Sequence, residues 1–224
     1  MKTGIIADIH GRYEALREAL DRLSSVDAIV NLGDVADYSP HVNECYDPLK
    51  RPNVVNLIGN HEQEVLASPS ADPDAPILLD SDGTPLSPDF GVSEENKAFV
   101  RTFRTHLSIL KDGLRVHFSH GYVATRGERV AFDYLSESNL LRLGARTRAQ
   151  VHFCGHLHIS QVIEASADGQ VTIGDIEGGV EISIAPGTIY GINVGMFSCN
   201  RSNPARPQWA VLDTLAKTIS FIIT

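Results

Sequence analysis

Five short stretches of this 224-residue chain carry side chains that bind cations or move protons, and each follows an apolar run. Asp8-Ile9-His10 comes after 3–7, Gly33-Asp34-Val35-Ala36-Asp37 after 28–32, and Gly59-Asn60-His61-Glu62 after 54–58. Ser119-His120 comes after 114–118, and Gly155-His156-Leu157-His158 after 151–154. A Gly-Asp pair after a strand is usually a turn and nothing more. Its company here changes the reading: carboxylate, amide and imidazole donors recur at strand ends along the chain. Such donors suit Mn, Fe, Zn, Ni or Co and do not choose among them. None of the five stretches contains cysteine, which argues against a structural zinc site. Two cations held ~3.5–4 Å apart polarise a phosphoryl oxygen and generate hydroxide at neutral pH. The pattern therefore predicts a two-metal hydrolytic site in which Asp34 is the carboxylate shared by both ions.

Strands and helices must bring those stretches together. The run 3–7 reads as a short strand, 13–23 as a helix with Leu16, Leu20 and Leu23 on one face, and 26–32 as a second strand. A short helix over 41–49, bounded by Pro40, Pro48 and Pro52, leads to a third strand over 54–58. This β-α-β-α-β order predicts parallel pairing with right-handed crossovers, and parallel strands deliver their C-terminal ends to one sheet edge, where sites collect. Residues 68–91 differ, with five prolines and many Asp and Ser, and read as a loop excursion that forms a rim or lid. Ser93-Glu94-Glu95-Asn96 reads as an N-cap and acidic first turn of a helix reaching about Thr105.

In the second half, 109–110 and 114–118 are expected to pair across Lys111-Asp112-Gly113, and 128–144 reads as a helix. Strands follow at 151–154, 162–165, 171–173, 182–185, 190–194, 209–213 and 219–223, with a turn at Ala167-Asp168-Gly169. Two sheets packed face to face with helices outside would absorb both halves, so residues 1–224 are read as a single domain. The chain carries a formal charge of −9, a poor footprint for stable nucleic-acid binding. Cys45, Cys154 and Cys199 are odd in number and widely spaced, which fits reduced thiols and a cytoplasmic setting. No apolar run is long enough to span a bilayer, and none forms a leader at the N-terminus. An oligomer is compatible with the sequence but not specified by it.

The ordered set Asp-x-His, Gly-Asp-x-x-Asp, Gly-Asn-His-Glu, His and Gly-His-x-His resembles the signature of the calcineurin-like metallophosphoesterase superfamily. The likeness covers almost the whole chain and is closest to the small bacterial phosphodiesterase and diadenosine tetraphosphatase-like branch. It implies a four-layer α/β/β/α sandwich with two divalent or mixed-valence transition-metal ions at the sheet edges. One ion would take Asp8, His10, Asp34 and His158, and the other Asp34, Asn60, His120 and His156. The resemblance further implies in-line attack by a metal-bridging hydroxide. His61 would bind the phosphoryl group and protonate the leaving alkoxide, and Asp37 would orient that imidazole and favour its protonated form.

The chain departs from family patterns in three places. Tyr38 stands where many monoesterases place an Arg, Gly121-Tyr122 replaces a Ser-Pro turn, and Asn193-Val194-Gly195-Met196 replaces an Asn-Pro-Gly-Ser turn. Without Arg at 38, a dianionic terminal phosphate loses a bidentate partner; Arg126, Arg129 or Arg201 would have to supply one from another loop. The expected activity is thus a phosphodiesterase acting on a small phosphoester or nucleotide-like substrate. The competing readings are a nucleotide pyrophosphohydrolase, a phosphomonoesterase including protein phosphatase-like activity, and, in another class, a protein-interaction scaffold on the same fold.

Overall fold

The computed structural model describes residues 1–67, 78–79, 85–86, 89–126, 129–133, 136–176, 179–195, 197 and 208–223. Its strands are β1 (Lys2–Ile6), β2 (Ala28–Asn31), β3 (Val54–Asn56), β4 (Leu78–Leu79), β5 (Pro85–Leu86), β6 (His106–Lys111), β7 (Leu114–Ser119) and β8 (Tyr122–Arg126). They continue with β9 (Arg129–Asp133), β10 (Val151–Cys154), β11 (Ser160–Ala165), β12 (Val171–Asp175), β13 (Glu181–Ser183), β14 (Ile189–Val194), β15 (Gln208–Asp213) and β16 (Thr218–Ile223). The helices are α1 (Tyr13–Arg22), α2 (Asn60–Ala67), α3 (Glu94–Val100) and α4 (Glu137–Thr147), with one 3₁₀ turn at Asp47–Lys50.

Two six-stranded mixed sheets form the centre, ordered β13-β16-β15-β1-β2-β3 and β12-β11-β14-β10-β7-β6. In the first, β1, β2 and β3 run parallel; in the second, β14, β10 and β7 do. Antiparallel strands complete one side of the first sheet, where β15 pairs with β1 through Gly4↔Val211, and both sides of the second. Ile5, Ala7, Val30 and Leu32 of the first sheet meet Val116, Phe118, Phe153 and Ile192 of the second in one buried cluster, with Phe118 and Phe153 stacked at 5.4 Å. Alternation along a strand sends the neighbouring side chains to the opposite face. There Ile6, Ile29 and Trp209 meet Leu16 and Leu20 of α1, Val65 of α2 and Val100 of α3. On the far side, Cys154, Ile163 and Ala165 meet Leu140 and Leu143 of α4. Two sheets with helices on both outsides make the four-layer α/β/β/α sandwich expected from the sequence.

Several local expectations need correction. Residues 41–46 form turns, and only Asp47–Lys50 is helical, as a single 3₁₀ turn. The helix expected over 128–144 is instead β9 followed by α4, since 129–133 pairs antiparallel with β8 from Tyr122↔Asp133 to Arg126↔Arg129. Helix α3 begins where expected, with Ser93 Oγ accepting the Asn96 N–H at 3.3 Å, but ends at Val100. The hairpin across Asp112-Gly113 forms with φ of 52° and 77°, the left-handed pair that a two-residue hairpin turn needs. Most of the 68–91 excursion lies outside the described residues, as do Cys199, Arg201 and the side chains of Arg126 and Arg129.

Candidate metal centre

The ends of β1, β2, β7 and β10, with the first turn of α2, meet where the two sheets lie side by side. Asp8, His10, Asp34 and His120 are buried, while His61, His156 and His158 keep partial access to solvent. Backbone bonds tie the loops into one unit. Asp8 donates its N–H to the Gly33 carbonyl at 3.0 Å, His10 to Asp34 at 3.0 Å and Gly155 to His120 at 2.8 Å. The His156 N–H points at both Asp8 oxygens, 3.0 Å from each, which joins the two sheets through the Asp8 carboxylate.

Two donor sets result. Asp8, His10, Asp34 and His158 offer one ligand atom each within 4.8 Å of one another, and so do Asp34, His120 and His156. Asp34 belongs to both sets. His10 Nε2 lies 3.0 Å from His158 Nε2, and His158 Nε2 lies 3.5 Å from Asp8 Oδ1. In the second set His120 Nε2 is 3.2 Å from Asp34 Oδ2 and 3.1 Å from Asn60 Oδ1. Two imidazole nitrogens and two buried carboxylates converging on a point are a donor set that a transition-metal ion satisfies. The arrangement fits a dinuclear site sharing one carboxylate, without choosing the metal.

The charges are mutually supporting. Burial works to raise the Asp34 pKa, but the His120 imidazole against it, helped by His61 and His10, holds the carboxyl below its ordinary value. Burial pulls His120 down, and the Asp34 carboxylate overrides it and lifts the imidazole to about 9. His10 is raised by the same logic, burial opposing and Asp37 with Asp8 and Asp34 prevailing.

His61 sits at the N-terminus of α2 beside the first set. Its backbone N–H donates to Asp34 Oδ1 at 3.0 Å, and its Nδ1 lies 2.8 Å from the Ala36 carbonyl. A carbonyl only accepts, so Nδ1 carries a proton and Nε2 is not engaged by that bond. Asp37 was expected to orient His61 from sequence. Its Oδ2 lies 3.4 Å from His10 Nδ1 instead, while the Ala36 carbonyl holds the His61 ring. Asp37, His10 and His61 nevertheless form a third compact group of donor atoms.

Three residues that build the site were not singled out from sequence. Glu62 is fully buried, and its carboxylate accepts four backbone N–H groups. They come from Asp34 at 2.8 Å, Val35 at 2.7 Å, Ala36 at 3.2 Å and Gly59 at 2.9 Å. Burial and the Asp34 charge raise its pKa, and the backbone N–H groups pull the other way. The contact to Gly59 is one half of a capping box, so the Gly59-x-x-Glu62 spacing was the available signal. Asn193 donates to the Gly155 carbonyl at 2.6 Å and accepts the Gly195 N–H at 3.2 Å, fixing the loop that carries His156. Phe90 stacks on His61 with ring centroids 5.1 Å apart and planes within 7°. Two glycines permit the approach of the loops: a Cβ on Gly59 would overlap Asp34 Oδ1, and one on Gly155 would lie 2.5 Å from Asp8 Oδ2.

Comparison with known proteins places the chain in context. A family model described as the calcineurin-like phosphoesterase superfamily domain matches residues 1–214. An uncharacterised protein of Methanocaldococcus jannaschii is 34% identical over 70 residues, which span 30% of this chain and 29% of that protein. Among solved structures, a metallophosphoesterase from Sphaerobacter thermophilus superposes with a TM-score of 0.72 at 22% identity, covering 100% of this chain and 88% of that one. A hypothetical protein from Pyrococcus horikoshii OT3 gives 0.68 at 14% identity, covering 100% and 87%. At these identities the likeness concerns the fold. No helix among the described residues is long and apolar enough to cross a membrane.

Proposed function

The chain belongs to the calcineurin-like phosphoesterase superfamily, and from that membership we propose that it is a metal-dependent phosphodiesterase acting on small, nucleotide-like phosphoesters. The observation that carries the reading is the pair of donor sets sharing Asp34, with His61 beside them. In the proposed assignment Asp8, His10, Asp34 and His158 hold one ion, and Asp34, Asn60, His120 and His156 the other. Such a pair supplies charge neutralisation at the phosphoryl group and an acidified water.

The protein's own groups divide the remaining work. Asp8 and Asp34 lie in a desolvated floor where their charges are not screened by water. Asp37, set against His10 Nδ1, orients that imidazole from outside the ligand set and raises its basicity. His61 is fixed through Nδ1, so its Nε2 is the atom from which the doubly protonated ring would pass a proton to the leaving oxygen, keeping the Nδ1 proton on the Ala36 carbonyl.

Tyr38 favours diesters over monoesters in this reading. It is 43% exposed, and its pKa is raised first by partial burial and then by the negative charges of Glu64, Asp37 and Asp89. That rim opposes a second charge on the substrate, and Tyr38 itself brings no guanidinium to offset it. The test is purified, metal-analysed protein assayed on a natural diester and on its monoester product, with and without chelator. Diester turnover that is lost with the metal and exceeds monoester turnover supports the reading. A monoester preference of tenfold or more, about 1.4 kcal/mol, overturns the diester preference and leaves the metal assignment standing. Protein that binds two ions yet cleaves neither ester returns the reading to a scaffold on this fold.

A further inference from the structure

A histidine ring rotates over a broad χ2 well unless its surroundings fix it. The bond from His61 Nδ1 to the Ala36 carbonyl restrains that rotation. Neighbouring rings bound the plane: His10 stands edge-on at 4.8 Å and 74°, and Phe90 lies parallel at 5.1 Å and 7°. The outer side of Phe90 meets the ring of Tyr38 at 4.7 Å and 62°, so the aromatic rings form a stack from the surface to His61.

Phe90 holds an uncommon backbone for that task. Its φ is 56°, a left-handed conformation that bulky side chains rarely adopt and that persists only where the surroundings over-determine it. The turn around it is built to do so. Asp89 Oδ1 accepts the Gly91 N–H at 3.1 Å, the Asp89 carbonyl accepts from Val92 at 3.1 Å, and Asp89 Oδ2 pairs with Lys97 at 2.6 Å. Asn43 donates to the Gly91 carbonyl at 3.0 Å and accepts the Ser93 N–H at 2.9 Å, which fastens the turn to the segment following Asp37. Phe90 is also a buried member of the cluster under α1, α2 and α3, so the packing that holds this turn also holds the ring against His61.

We propose that Phe90 is a positioning residue: its ring fixes the plane of the His61 imidazole, and so the direction of Nε2 toward the leaving group. The proposal rests on the reading of His61 as the proton donor. Its consequence is selective. A leaving group that departs readily as its anion gains little from a well-aimed donor, whereas a basic one depends on it.

The experiment uses wild type, Phe90→Leu and Phe90→Tyr, each with measured metal content and thermal midpoint, on two diesters sharing an ethyl group, ethyl nitrophenyl phosphate and ethyl phenyl phosphate. Phe90→Leu is expected to keep both ions and KM within about twofold, to lose kcat on the phenyl ester by about tenfold or more, and to lose less than about threefold on the nitrophenyl ester. Phe90→Tyr, which keeps the ring, is expected to recover most of that loss. In the metal-free protein the ring-current displacement of the His61 Hε1 signal should vanish in Phe90→Leu and persist in Phe90→Tyr. If Phe90→Leu does not fold, Phe90→Met, which fills irregular space more readily, carries the same comparison. Equal losses on both esters, a change in KM alone, or no recovery in Phe90→Tyr overturns the positioning role. A wild type inert on both esters removes the phosphodiesterase reading and this proposal with it, a result distinct from an active wild type whose Phe90→Leu variant loses both esters alike.

Discussion

Glu62→Gln is the sharpest test of how the metal loops are held. The substitution keeps side-chain length and exchanges one carboxylate oxygen for an amide nitrogen. Oε1 accepts from Val35 and Ala36, and Oε2 from Asp34 and Gly59, so either placement of the amide leaves two N–H groups facing another donor. A buried donor stripped of its acceptor costs about 1–3 kcal/mol, so the pair costs about 2–6 kcal/mol. Removing a buried charge beside Asp34 returns part of that, and the expected net loss is about 2–4 kcal/mol. Against a typical net stability of about 5–15 kcal/mol this is a large fraction. The assay is urea unfolding of chelated protein, with the slope checked to be unchanged so that the shift in midpoint reports stability. Metal titration of the same variant should show weaker binding, since the Asp34 backbone has lost its anchor. A loss below about 0.5 kcal/mol with unaltered metal affinity would show that the four amides do not depend on this carboxylate, and the anchoring argument would be wrong.

Asp34→Asn should lower occupancy of both ions and remove most turnover, because that carboxylate belongs to both donor sets; retention of two ions by metal analysis would contradict a shared ligand. Asp37→Asn should weaken metal binding by roughly tenfold or more through His10, without affecting the fold; an effect confined to kcat would place Asp37 with His61 instead. Gly59→Ala should cost stability and metal together, since its Cβ overlaps Asp34 Oδ1, and calorimetry of chelated and loaded protein reads both. Acid sensitivity should arise away from the metals as well. Burial depresses His117 to about 3 and His152 to about 4, each with further causes, so the unfolded chain takes up protons first. Their contribution is present above pH 6.5 and is lost as pH falls, by about 2 kcal/mol per histidine between pH 6.5 and 5. His117→Gln should flatten that slope in chelated protein, and an unchanged slope would show that His117 is not responsible.

The clustered donor residues were legible because two independent patterns coincide. Short apolar runs mark buried parallel strands, and imidazole, amide and carboxylate groups recur directly after them. Asp112-Gly113 was legible because a two-residue hairpin needs left-handed backbone at both positions. The missed elements lacked such agreement. Helix α2 is eight residues long and begins inside the metal motif, so no amphipathic stripe announces it. Residues 129–133 carry a spacing that suits a strand as well as a helix, and pairing with β8 decides the matter. Glu62 and Phe90 act through contacts 25 or more residues away in sequence, as when Glu62 meets Ala36 at a separation of 26. Sequence also did not show that Asp37 meets His10 as well as lying beside His61: proximity along the chain does not reveal which of two adjacent imidazoles a carboxylate faces.

The backbone at the ligands explains why so much of the surrounding sequence is committed to support. Asp8, His10, Asp34, His156 and His158 all have positive φ, between 47° and 71°. Left-handed backbone costs an L-residue roughly 1–2 kcal/mol, somewhat less for Asp and His, which tolerate it better than most types. Five such residues together oppose folding by an amount approaching the net stability of a whole domain. The cost must be offset locally, since a distant core would stabilise relaxed loops equally well. The offsets are visible: the His156 N–H on Asp8, the His10 N–H on the Asp34 carbonyl, the Phe197 N–H on the Asp8 carbonyl, and the Glu62 carboxylate beneath Asp34. In each case the group that relieves the turn belongs to a donor set or is bonded to a member of one. Donor geometry and loop conformation are therefore one structural unit, and a change that spares every donor atom but loosens a single turn should disturb the site as much as the loss of a donor.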